Sequence, residues 1–191
     1  MSDFCNTQKQ LKMKKQNLVF IAQSLDGYIA DKNGGLEWLE SVPNPNGLDM
    51  GYSAFTNKID AIIMGRTTFE TVCSFGIDWP YTKPVFVLSN SIKSLEQKLE
   101  SKVKIVNGSL STVLETINKE GYNKLYIDGG QVIQSFLKED LIDEMTITTI
   151  PILLGGGHSL FGDLDKHMSF DLVKSEVFLD AIVQSTYNRK K

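Results

Sequence analysis

The stretch Ile62-Ile63-Met64-Gly65-Arg66-Thr67-Thr68-Phe69-Glu70 decides how this chain folds. An apolar run enters from Ile59-Asp60, begins at Ala61 and stops at Gly65, and a helix-like segment over residues 67–75 follows. A run without polar alternation reads as a strand buried on both faces, the mark of a largely parallel sheet inside an α/β fold. Ligands of such sheets bind beyond the carboxyl ends of the strands. A glycine there lets backbone N–H groups approach a phosphate at the helix N-terminus. A glycine at a strand end also makes a plain turn, but the arginine and the two threonine hydroxyls beside this one suit a phosphate better than a turn requires.

Outward from that segment the same grammar repeats. Short apolar runs at residues 18–22, 85–88, 103–106 and 125–127 each end in polar or glycine punctuation. Helix-like stretches lie between them. Residues 91–99 open on Ser91 and place Ile92, Leu95 and Leu99 on one helical face. Residues 110–117 align Leu110, Val113, Leu114 and Ile117, and residues 131–137 begin directly after Gly129-Gly130. The last third changes character: residues 145–150, 171–178 and 181–187 read as strands without helices between them, the last two forming a hairpin around Leu179-Asp180. Parallel βα units followed by antiparallel strands imply an α/β domain with a mixed sheet of about seven or eight strands. With no repeat, linker or low-complexity tract, the expected organisation is a disordered polar leader over 1–15 and one domain over 16–191.

Composition excludes several classes. A net charge of -3 over 191 residues offers no basic field for a nucleic acid. Cys5 and Cys73 are too few for a disulfide framework or a zinc site, and His158 and His167 lack metal-ligand spacing, so no metal is expected. The leader has no apolar core like that of a secretory signal, and no stretch approaches a membrane span, so a cytoplasmic, membrane-free protein is expected. Glycine-rich dinucleotide and P-loop signatures are absent, as are the H-x-E and P-C-x-x-C of a zinc deaminase.

Five blocks, in order, resemble the dihydrofolate-reductase-like proteins. They are Ile21-Ala22-Gln23-Ser24-Leu25-Asp26-Gly27-Tyr28-Ile29-Ala30, the opening M-G-R-x-T-[FW]-E segment, Val85-Phe86-Val87-Leu88-Ser89-Asn90, Leu125-Tyr126-Ile127-Asp128-Gly129-Gly130, and residues 151–161. The last, P-x-x-L-G-G-G-x-x-L-F, is similar to the reductase domain of the riboflavin-biosynthesis (RibD) branch. The resemblance spans roughly residues 17 to 189. It implies a three-layer dihydrofolate-reductase-like fold and an NADPH-dependent reductase of a small heterocycle or a ribosylaminopyrimidine. Ala22 and Ile29 would meet the nicotinamide. Gly65, Arg66, Thr67 and Thr68 would bind the cofactor phosphates, with Arg66 on the 2′-phosphate. Ser89, Asn90 and Ser91 would hold the adenosine end, and Gly129, Gly130, Gln131 and Val132 the pyrophosphate.

The proton donor is less constrained. Asp49 lies 16 residues before Gly65, the family's spacing for a substrate-facing carboxylate. It reads equally as a cap for a helix running to Asn57. Glu37 and Trp38 fall in the family's mobile substrate loop, Glu37 as the second candidate acid, with Trp38, Tyr52 and His158 as expected substrate contacts. Lys83-Pro84 replaces the arginine by which folate reductases hold a glutamate tail. A true folate reductase and a non-catalytic nucleotide-binding protein are therefore the rival readings. Relatives in the riboflavin branch pair through their sheets, and apolar residues on both sides of the alternation in 171–187 favour a homodimer.

Overall fold

The computed structural model describes residues 14–190, so residues 1–13 of the expected leader lie outside the described residues. The apolar runs become strands β1 (Gln16–Ser24), β3 (Ala61–Gly65), β4 (Val85–Leu88), β5 (Val103–Val106), β6 (Lys124–Asp128) and β7 (Glu144–Ile150). With the hairpin β9 (Phe170–Phe178) and β10 (Ile182–Arg189) they form one eight-stranded sheet, ordered β5-β4-β3-β6-β1-β7-β10-β9. The six strands from β5 to β7 are parallel, and the hairpin joins β7 antiparallel. Leu179 and Asp180 both take positive φ, 53° and 54°, the two-residue turn whose twist suits a tight hairpin.

Continuous apolar strands serve two cores. Ile63, Leu125 and Ile127 pack under helices α3 (Leu110–Lys119) and α4 (Gly130–Lys138), while Ile62, Met64 and Tyr126 pack on the opposite face. There they meet Phe55 of α1 (Tyr52–Lys58) and Phe69 of α2 (Arg66–Ser74). This is the expected three-layer fold. A small ribbon, β2 (Tyr28–Ala30) against β8 (His158–Ser159), links the loops that follow β1 and β7.

One expected helix does not form. Of residues 91–99 only Gln97–Leu99 make a single 3-10 turn. Ser89 Oγ accepts from the N–H groups of Ser91 and Ile92 at 3.2 and 3.1 Å, closing a turn where a helix would have started. Ile92, Leu95 and Leu99 still pack into the α1–α2 side core. The i, i+3, i+7 pattern records burial there, not helix.

Candidate active site

Two glycine-led turns meet at the carboxyl edge of the sheet. Gly65 and Gly129 stand at the N-caps of α2 and α4, and neither helix has a side chain accepting from its first-turn amides. By contrast α3, away from this edge, is capped by Ser109, which accepts from Thr112 N. The turns touch so closely that only glycine fits. A Cβ on Gly129, whose φ is 89°, would run into Thr68 Oγ1. One on Gly65 would lie 3.2 Å from Val132 Cγ2, and one on Gly130 would lie 2.8 Å from Ile29 Cδ1. Gly65, Thr68, Gly129, Gly130, Val132 and Ile29 are thus one constellation. Thr67 and Gln131 follow in the exposed first turns of the two helices.

Arg66 is the first residue of α2 and half exposed, its Nη1 donating to both carboxylate oxygens of Glu70 at 3.1 and 3.0 Å. The turn Ser89-Asn90-Ser91 lies beside it, because Leu88 pairs in register with Gly65. The third glycine cluster is different. Asp26 accepts from Leu154 N at 3.1 Å and Gly155 N at 2.7 Å, and from Ser24 Oγ at 2.6 Å. The Ser24 hydroxyl and those two amides draw the Asp26 carboxyl below its usual range, so this loop already carries its own anion.

Across β1 from the glycine turns lies a cavity of about 620 Å³. Phe20 and Ala22 of β1, Thr148 of β7 and Ile182 of β10 line it, with Glu40 and Asp49 as its carboxylates. The capping alternative for Asp49 describes its geometry: Oδ1 accepts from Gly51 N at 2.9 Å and Oδ2 from Ser53 N at 3.0 Å. The helix begins at Tyr52, later than the sequence suggested, so Asp49 sits just before it. Hydrogen bonds from Ser53 and Gly51 lower its carboxyl pKa, the opposite of what a proton donor near neutrality needs. Glu37 is exposed on a 3-10 turn, its carboxylate beside Gly35 and Asp31, and the cavity wall carries Glu40 in its place. Trp38 is buried against Ala22, Met50, Ile150 and Ile182, and among the described residues its indole N–H finds no acceptor. His158 is exposed on β8, paired with Ala30, and is not part of the cavity wall.

Sequence reasoning missed Asp128. It ends β6 immediately before the Gly129 turn, and burial raises its carboxyl from 3.8 to about 6 despite hydrogen bonds from Gly129 N and Tyr126. Tyr52 and Tyr81 feel its charge, and their hydroxyl pKa values are raised by burial first and by Asp128 second. Tyr52 leans on Phe20 with ring centroids 5.7 Å apart, which connects the Asp128 cluster to the cavity wall. The signal was present in the sequence as a lone carboxylate closing the buried run Leu125-Tyr126-Ile127.

Residues 18–183 match the RibD C-terminal domain. This chain belongs to that family. The structure superposes on a putative riboflavin biosynthesis protein from Shewanella sp. PV-4 with a TM-score of 0.90 and 57% identity, covering 92% of this chain and 99% of that one. A diaminohydroxyphosphoribosylaminopyrimidine deaminase/5-amino-6-(5-phosphoribosylamino)uracil reductase from Thermotoga maritima gives 0.72 at 16% identity, over 93% of this chain but 57% of its own length. Dihydrofolate reductase from Enterococcus faecalis, complexed with NADP(H), gives 0.63 at 19% identity, covering 92% and 97%. The RibD C-terminal fold is therefore dihydrofolate-reductase-like, and this member belongs among the riboflavin-pathway reductases. Within the family frame, the two glycine turns occupy the strand ends and the cavity lies on the α1 side of β1. Among the described residues no three His, Cys, Asp or Glu side chains group as a metal site, and no helix is long and apolar enough to cross a membrane.

Proposed function

We propose that this chain is an NADPH-dependent reductase acting on a small heterocycle of the ribosylaminopyrimidine type. One observation carries the reading: two helix N-termini without side-chain acceptors, led by glycines in mutual contact, meet beside the cavity at the sheet's carboxyl edge. Unclaimed first-turn amides and the positive end of a helix suit phosphate oxygens, and a guanidinium suits a terminal phosphate. The residues therefore fit the cofactor. Gly129, Gly130, Gln131 and Val132 would take the pyrophosphate, and Gly65, Thr67, Thr68 and Arg66 the adenosine phosphate side with Ser89, Asn90 and Ser91. Ala22 and Ile29 would flank the nicotinamide. Bound there, NADPH supplies the hydride.

The protein's own part is to place the acceptor and hold a proton. Asp128 is suited to the second task, because a carboxyl near pKa 6 is partly protonated at neutrality, whereas that of Asp49 is held ionised. Asp128 thus replaces Asp49 and Glu37 as the acid in this reading. Tyr52 and Trp38 would contact the substrate, the latter by giving its unused N–H to a carbonyl.

Cytoplasmic residence and a homodimer belong to the same proposal. Edge strand β9 shows solvent three large apolar side chains, Leu172, Val173 and Val177, at 55 to 66% exposure, and a second copy is the covering proposed for them. Light scattering should return about twice the 21.4 kDa chain mass. The decisive test of function is NADPH oxidation followed at its near-ultraviolet absorbance, with a phosphoribosylaminopyrimidine and dihydrofolate offered separately. Turnover of the first without the second is the expected result. Binding of NADPH with no turnover of either would leave a nucleotide-binding protein, and no binding would end the reading.

A further inference from the structure

Arg66 breaks a local rule. The N-terminus of a helix repels cations, yet Arg66 is the first residue of α2, and the first turn contains no acidic residue to offset it. Its counter-charge comes from the second turn. Glu70, four residues on, takes the same guanidinium nitrogen with both oxygens, in the arginine-before-glutamate order that the helix dipole disfavours. Both side chains are about half exposed, at 50 and 52%, so the pair is screened and easily opened. A residue placed against the dipole and held by a weak partner is arranged for exchange.

We propose that Glu70 is a cofactor-specificity residue that competes with the cofactor's 2′-phosphate for Arg66, holding the preference for NADPH over NADH below what Arg66 alone would give. The inference rests on the assignment of Arg66 to that phosphate. A guanidinium has five N–H donors and Glu70 engages one nitrogen, so an arriving phosphate can find free donors on Arg66. It nevertheless arrives beside a carboxylate of its own sign, only one helical turn along α2. NADH brings a neutral 2′-hydroxyl and feels neither the attraction nor the repulsion. Glu70 therefore penalises one cofactor selectively, and the penalty is a like-charge effect that salt weakens.

The experiment is titration of NADPH and of NADH, by fluorescence or calorimetry, against wild type, Glu70→Gln, Arg66→Ala and the double variant, at low and high salt. Glu70 is exposed, so a thermal melt of Glu70→Gln should match wild type and confirm that the fold is intact. Glu70→Gln should tighten NADPH about three- to tenfold, ~0.7 to 1.4 kcal/mol, and leave NADH unchanged. That gain should shrink at high salt and in the Arg66→Ala background. If Arg66→Ala weakens NADPH while Glu70→Gln leaves it unchanged or weaker, the competition is overturned and the cofactor reading survives. If Arg66→Ala leaves NADPH unaffected, the assignment of Arg66 falls and this inference falls with it.

Discussion

The two sides of the site satisfy their backbone amides in opposite ways. On the cofactor side, α2 and α4 open on glycines and have no side chain accepting from the first turn. On the cavity side, Asp49 takes the amides of Gly51 and Ser53, and Asp26 takes those of Leu154 and Gly155. Where the chain provides its own carboxylate, a foreign anion has no free donors to find. Where glycines lead and no acid follows, it does. Glycine alone therefore does not mark a phosphate site, since Gly155 and Gly129 differ in who occupies the neighbouring amides.

The largest expected effect falls between the two sides, at Asp128. Asp128→Asn should cut turnover by ~10²- to 10⁴-fold, the range for losing general acid assistance, with NADPH affinity nearly unchanged. In wild type, turnover should decline as pH rises through about 6, because the carboxyl raised from 3.8 loses its proton there. Stability has the same sign. A carboxyl with a raised folded pKa favours the fold below the ordinary value and loses that contribution as pH climbs through about 6. Asp128→Asn should therefore melt higher than wild type at pH 8, with the gap closing toward pH 4. A pH-independent gap, or a flat rate profile from pH 5 to 8, would remove Asp128 from the mechanism.

Next in size is Gly129→Ala, which tests whether the two glycine turns need their contact. A Cβ there collides with Thr68 Oγ1 in a backbone of positive φ. The cost should be about 2 to 3 kcal/mol in urea unfolding, together with weaker NADPH binding. Ala at Gly155, also at positive φ but with open space around it, should cost less and spare the cofactor. Equal losses at both positions would erase the distinction between the turns.

Smaller again is Arg66→Ala. Losing a charge-assisted contact to the 2′-phosphate forfeits ~1.5 to 3 kcal/mol, so NADPH should weaken at least about tenfold while NADH barely changes. Parallel titration of both cofactors reads this directly.

Much of this architecture was legible in the chain because burial on both faces writes itself as unbroken apolar runs, and those runs became β1, β3, β4, β5 and β6. The cofactor side was legible for a related reason. Glycines at Gly65 and Gly129 are required by contacts with Val132 and Thr68, so the requirement shows in the residue type. The cavity side was not, because Asp49, Glu37 and Glu40 are alike as letters, and only hydrogen bonding and burial separate a cap from a wall residue. Asp128 escaped notice because its pKa depends on burial that sequence spacing does not reveal. The helix expected over 91–99 failed because Ser89 reaches forward to two amides, a local contact that competes with the helical ladder.

The smallest effect is expected at Asp49, and it sharpens the contrast most. Both of its oxygens are committed to the amides of Gly51 and Ser53, and those bonds stabilise the ionised form. Asparagine caps about as well as aspartate, so Asp49→Asn should change neither melting temperature nor turnover appreciably. Asp49→Ala should lose ~0.5 to 2 kcal/mol, the usual cost of removing a cap, while the folded fraction keeps its rate. The lowered pKa adds a signed check. A carboxyl of depressed pKa supports the fold above its ordinary value near 3.8 and loses that support as pH falls through the lower folded value. The stability gap between wild type and Asp49→Ala should therefore hold at pH 7 and narrow under acid. A drop in turnover as large as that of Asp128→Asn, with stability intact, would instead return the proton to Asp49 and make its contacts with Gly51 and Ser53 a resting arrangement that substrate displaces.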